Sequence, residues 1–183
     1  GLIPRPPVAH RLYLRMSLNE RLQHASLVIS FFTLVFTGFA LKYPEAWWVE
    51  PIRNISPLMF ELRGILHRIA GVVMVAASLF HVYYVFFVPR GKQLIRDLLP
   101  KIEDVTDAIG ILKYNLGFSP VKPKFGRFSY IEKSEYWALV WGTMVMAATG
   151  LILWFDNTFL GLLTKLWWDV ARTVHYYEAW LAT

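Results

Sequence analysis

The sequence predicts an all-α integral membrane protein, an up-and-down bundle of four helices. Three observations carry that reading. Of 183 residues, 56% are hydrophobic, 16% aromatic and only 17% charged, too apolar a balance for an ordinary soluble domain. The stretches Leu22 to Leu41, Ile69 to Val88 and Tyr136 to Phe155 each run twenty residues without Lys, Arg, Asp or Glu, and a hydrocarbon core of about 30 Å needs about 20 apolar residues. A fourth apolar stretch follows Trp167 and Trp168 and carries no basic residue from Val174 onward.

The first stretch does not read as a secretory signal. It is too long, shows no small-residue cleavage site and has His24 inside its start. The fourth, over 167–183, offers only ten residues from Val174 onward, too few to cross, so either its end lies beyond Thr183, the favoured expectation, or the segment is re-entrant. Basic residues set the orientation. The N-terminal segment carries Arg5, Arg11, Arg15 and Arg21, and the loop over 89–134 carries nine more, whereas the other two connections hold four and two. The N-terminus and the long loop are therefore expected in the cytoplasm. Trp47, Trp48, Trp167 and Trp168 fall in the external connections, where indoles anchor at headgroup depth. In the long loop Ile95, Leu98, Leu99, Ile102 and Val105 recur at helical spacing between charges. That pattern predicts one amphipathic surface helix, broken by Pro120, Pro123 and Gly126 before the third span. These charges flank spans instead of forming a patch with interleaved aromatics, so nucleic acid is not an expected partner.

The chemistry lies in the histidines. The chain has no cysteine, which excludes disulfides, thiolate zinc, cysteine-held iron–sulfur clusters and thioether-linked haem. His67 and His81 stand fourteen residues apart on the second span, nearly four turns, and so share a face about 21 Å apart. Placed on the bundle, His67 and His175 define an outer level, His24 and His81 an inner one. A b-type haem needs two axial imidazoles from facing helices, and two such haems explain two levels. Zinc fits less well, because its ligands gather in one small tetrahedral site. Any one of these histidines, taken alone, is equally explained as buried and hydrogen-bonded. Polar groups in a bilayer are costly, and four at matching depths point to function. His10, in the Pro-rich leader, reads as a solvated residue.

Gly38 lies fourteen residues after His24, at the outer level, where a missing side chain would admit a porphyrin edge. Gly71 is a second candidate for haem packing. Tight helix packing is the alternative for both and for Gly150. A short echo joins Phe-Thr-Gly-Phe at 36–39 to Ala-Thr-Gly-Leu at 148–151.

Glu-Arg-Leu-Gln-His at 20–24 with Thr-Gly at 37–38, Leu-His-Arg-Ile-Ala-Gly at 66–71, Phe-His at 80–81, Gly-Arg-Phe-Ser-Tyr at 126–130 and His-Tyr-Tyr-Glu-Ala at 175–179 resemble the di-haem cytochrome b subunits of membrane-bound formate dehydrogenases and nickel–iron hydrogenases. The resemblance implies a four-helix haem bundle in the bacterial inner membrane, moving electrons between menaquinone or ubiquinone and a redox partner. That partner would be a periplasmic dehydrogenase with its iron–sulfur subunit, or a multihaem cytochrome c. It implies axial ligands from helices one, two and four, the fourth helix carrying a second histidine about fourteen residues after His175, past Thr183. His24 and His81 then pair with each other, or one pairs with that residue, which leaves room for a third haem. Arg21, Arg68 and Arg172 are candidates to neutralise haem propionates, against ordinary snorkelling. Asn19, Glu20 and Tyr83 lie near the expected quinone level, and Glu178 is an acid inside a span. The competing reading is a non-haem subunit of a transporter or assembly factor, with proton-relay or structural histidines. Between His67 and His81, however, only Ser78 offers a polar relay group.

Overall fold

The computed structural model describes residues 16–155 and 164–183, and those residues are all-α. His10 and the basic residues Arg5, Arg11 and Arg15 lie outside the described residues. Helix α1 (Leu18–Lys42) begins where Ser17 and Glu20 cap each other: the Ser17 hydroxyl accepts from the Glu20 amide at 3.3 Å, and the Glu20 carboxylate accepts from the Ser17 amide at 2.6 Å. A short helix α2 (Glu50–Ile55) interrupts the first connection. Helix α3 (Pro57–Phe87) starts with the Ser56 hydroxyl accepting from Met59 and with proline at the first turn. It ends because Pro89 holds Val88 extended, at φ −92° and ψ 132°.

The long loop contains two helices where the spacing predicts one. Helices α4 (Pro89–Leu98) and α5 (Ile102–Asn115) are separated at Pro100, which lacks an amide proton and holds Leu99 extended at φ −62° and ψ 135°. Helix α6 (Tyr130–Trp154) opens on a second reciprocal cap, Ser129 with Glu132, and α7 (Lys165–Leu181) follows the second gap.

Helices α1, α3 and α6 are long and apolar enough to cross a membrane. With α7 they pack as two antiparallel pairs, α1 along α3 and α6 along α7. Small residues set the first contact: a Cβ on Gly71 would meet Leu34, and one on Gly64 would meet Leu41, each at 3.9 Å. Phe39 on α1 meets Trp180 on α7 edge-on at 4.8 Å, joining the pairs at one end. Many large apolar side chains, among them Ile29, Phe32, Leu79 and Phe86, are exposed, as expected where the surrounding solvent is lipid.

The end that carries the start of α1, α4 and α5 is the basic end, and polar ties hold it together. Glu20, 9% exposed, accepts from Tyr84 at 3.0 Å and from Arg90 at 2.9 Å through both Nε and Nη2, pinning α1 to the α3–α4 corner. Lys133 on α6 donates to both carboxylate oxygens of Asp104 on α5, at 2.7 and 2.8 Å. Trp137 donates to the Leu98 carbonyl at 2.9 Å.

Candidate functional site

At the opposite end, His67 on α3 and His175 on α7 face each other across the two helix pairs. Their ring centroids are 6.4 Å apart and the ring planes are inclined by 73°. Two imidazoles bound to opposite sides of one metal at about 2.0 Å, with roughly 1.1 Å from each nitrogen to its ring centre, have centroids about 6.2 Å apart. The observed spacing therefore fits one shared iron. Among the described residues no three His, Cys, Asp or Glu side chains converge on a metal-sized site, so the pair is not part of a tetrahedral protein cage built from them.

The two histidines are held in matching ways. His67 Nδ1 lies 3.0 Å from the Thr37 hydroxyl, and His175 Nδ1 lies 2.9 Å from the Thr149 hydroxyl. The glycine after each threonine clears the ring: a Cβ on Gly38 would come within 3.2 Å of His67 Cε1, and one on Gly150 within 3.2 Å of His175 Cε1. The Thr-Gly echo is thus a structural duplication. Each pair of helices contributes one Thr-Gly step and one histidine packed against it.

Two buried donors lie outward of this pair. Arg63 Nε, one turn before His67, and Trp168 Nε1, two turns before His175, have no hydrogen-bond partner among the described residues. Such orphaned N–H groups are costly unless an acceptor is supplied, and an anionic haem propionate is an acceptor of the right kind. The three arginines expected in this role are placed differently. Arg68 and Arg172 are exposed, each 5.5 Å from an indole ring, of Trp154 and Trp168 respectively, and Arg21 is exposed at the basic end. Gly71 lies in the α1–α3 contact against Leu34, while Gly38 lies in the site itself.

The inner level is organised around His81 alone. Its Nδ1 is 2.8 Å from Gln23 Oε1 and its Nε2 is 3.0 Å from the Tyr136 hydroxyl, so both ring nitrogens are committed. Gln23 also donates to the exposed Asn19, which makes a chain of polar contacts from Tyr136 through His81 to the basic-end surface. His24, one residue along α1 and so about 100° further round, is exposed and has no hydrogen-bond partner among the described residues. Gln23, and not His24, stands against His81. Glu20 is engaged in its ion pair with Arg90, and Tyr83 stacks on Phe87 at 5.2 Å on the exposed face. Glu178 lies over Gly142, where a Cβ would meet its Oε1 at 2.9 Å.

The sequence alone assigns no role at the site to Thr37, Thr149, Gln23, Tyr136, Arg63 or Trp168, although Trp168 is expected as an interfacial anchor. For the threonines a signal existed in the repeated Thr-Gly step.

Paired apolar helices presenting facing imidazoles, each with a glycine clearing its ring, define a membrane cytochrome of the b type. The chain belongs to the prokaryotic cytochrome b561 family, which it matches over residues 15–183. It is accordingly a multi-pass membrane protein of a haem b family. It is 23% identical over 141 residues to the cytochrome b556 subunit of formate dehydrogenase from Haemophilus influenzae, covering 77% of this chain and 54% of that protein. It is 22% identical over 144 residues to the cytochrome b556(Fdn) subunit of nitrate-inducible formate dehydrogenase from Escherichia coli K12, covering 79% and 60%. The chain thus spans little more than half the length of these relatives.

Proposed function

We propose that this chain is the electron-transferring membrane subunit of a larger redox complex, carrying b haem on paired histidines. The outer site is His67 with His175, and the observation that carries it is their 6.4 Å ring separation, which matches two ligands on one metal. A haem bound there supplies one-electron redox chemistry at its iron. The protein's own part is to fix the two imidazoles, leave room at Gly38 and Gly150, and offer the Arg63 and Trp168 N–H groups to a propionate. A second haem would be held at the inner level by His24, which has no partner among the described residues, whereas His81 has both nitrogens engaged. The contacts from Tyr136 to Asn19 suit His81 to proton movement at the same end.

Haems at the outer and inner histidine levels, about 20 Å apart along the helices, would carry electrons across most of the bilayer. The basic end faces the cytoplasm by the positive-inside rule, which puts quinone chemistry, on menaquinone or ubiquinone, at that side. The outer site faces a periplasmic partner, and the names of the relatives favour a formate-dehydrogenase-like subunit there. The test is a dithionite-minus-air difference spectrum of the purified protein, followed by reoxidation with a water-soluble menaquinone analogue. A b-type absorption band that reoxidises on addition of the quinone is expected. A colourless preparation that takes up no added haem contradicts the proposal.

A further inference from the structure

The histidine-holding threonines do more than pack. Thr37 Oγ1 is 2.6 Å from the Thr33 carbonyl, and Thr149 Oγ1 is 2.7 Å from the Val145 carbonyl. Oxygens this close need a hydrogen between them, and a carbonyl has none to give, so each hydroxyl donates its single proton to its own helix. Its contact with the histidine must then be one in which the hydroxyl accepts. Nδ1 of His67 and Nδ1 of His175 therefore carry the hydrogen, at 3.0 and 2.9 Å from their threonines. Both imidazoles are left in the tautomer whose Nε2 bears a free lone pair, the form that binds a metal. The contrast is His81, where Nδ1 faces the Gln23 carbonyl oxygen and the Nε2 lone pair is taken by the Tyr136 hydroxyl.

We propose that Thr37 and Thr149 are a matched pair of positioning residues that fix the tautomer of the two outer ligands and set their donor strength equally. Each accepts a hydrogen bond from Nδ1–H, which makes the imidazole more basic and favours the oxidised, more positive iron. The glycine that follows each threonine is what lets the ring approach its hydroxyl. The Thr-Gly step thus recurs because both histidines need the same support. Thr37 is 3% exposed, so no water replaces its oxygen at low cost.

This inference rests on reading His67 and His175 as the ligands of one haem, and the experiment separates the two. The isosteric variants Thr37→Val and Thr149→Val, with Thr37→Ser and Thr149→Ser, are purified from membranes and titrated potentiometrically, with haem content measured on the same samples. Each valine variant is expected to raise the midpoint potential of the outer haem, by similar amounts, and each serine variant to restore it. If a valine variant loses the outer haem, the matching serine variant is expected to recover it. An outer haem retained at an unchanged potential in both valine variants overturns the role of the threonines while leaving the ligand reading intact. A haem loss that serine does not repair also overturns it. Wild-type protein with no b haem defeats the ligand reading itself.

Discussion

Replacing Gly38 by alanine would set a Cβ 3.2 Å from Cε1 and 3.6 Å from Nδ1 of His67. Carbon atoms prefer about 3.5–4.0 Å, so the ring must retreat by roughly 0.3–0.8 Å or α1 must move away from α3. The ring has little freedom: its Nδ1 is held 3.0 Å from Thr37 and its far side faces His175. A displacement of that size stretches the hydrogen bond to Thr37 and misaligns Nε2 with the shared metal position. Disturbing the support of a metal ligand typically costs about 10- to 100-fold in affinity, and that is the loss expected for the outer haem. Helix propensity works the other way, since alanine is favoured over glycine by about 1 kcal/mol, so lost haem cannot be blamed on a weaker helix. Gly71→Ala is the control: its Cβ would meet only Leu34 at 3.9 Å, an ordinary contact, and haem binding should stay within about twofold of wild type, the change of roughly 0.4 kcal/mol usual for a benign substitution. The assay is haem titration into stripped, detergent-solubilised protein, followed by the absorption of the outer site. Gly38→Ala protein that binds the outer haem as tightly as Gly71→Ala protein would refute the reasoning.

Two further outcomes follow from the polar ties at the basic end. The Asp104 carboxyl is held below its ordinary value by the Lys133 ammonium and then by the Lys101 amide; a depressed carboxyl stabilises the fold above its unfolded value of about 3.9 and loses that contribution as pH falls through the folded value. Hydrogen exchange in α5 should therefore be flat from pH 8 to about pH 5 once corrected for intrinsic rates, and Asp104→Asn should raise it at neutral pH. Gly91→Ala would drive a Cβ into the Tyr84 carbonyl at the α3–α4 corner, and overpacking of that kind costs about 1–3 kcal/mol, read as a lower thermal midpoint in detergent.

Much of the architecture is legible in the chain because lipid imposes it. Three uncharged stretches of twenty residues leave no alternative to helices, since a bilayer offers no partner for open backbone groups. The caps at Ser17, Ser56 and Ser129 then extend those helices beyond their apolar cores. The split of the long loop at Pro100 was also present in the sequence, but regular apolar spacing across 95–105 masked it. The site was legible in depth and not in rotation. Counting residues puts His67 and His175 at one level, and the structure brings them together. The same counting puts His24 and His81 at one level, yet a single residue changes the facing direction by about 100°, and Gln23 takes the place opposite His81. No periodicity in a uniformly apolar helix fixes that angle. The orphaned donors Arg63 and Trp168 were hidden for another reason: which N–H groups lack an acceptor is a property of packing between helices distant in sequence.

The central claim is that His67 and His175 share one iron, and haem stoichiometry in His67→Ala, His175→Ala and the double variant tests it most directly. Each single variant should lose the same one haem per chain, with the same spectral component missing, and the double variant should lose no more. Loss of different components in the two single variants, or a further haem lost in the double, would contradict the shared site.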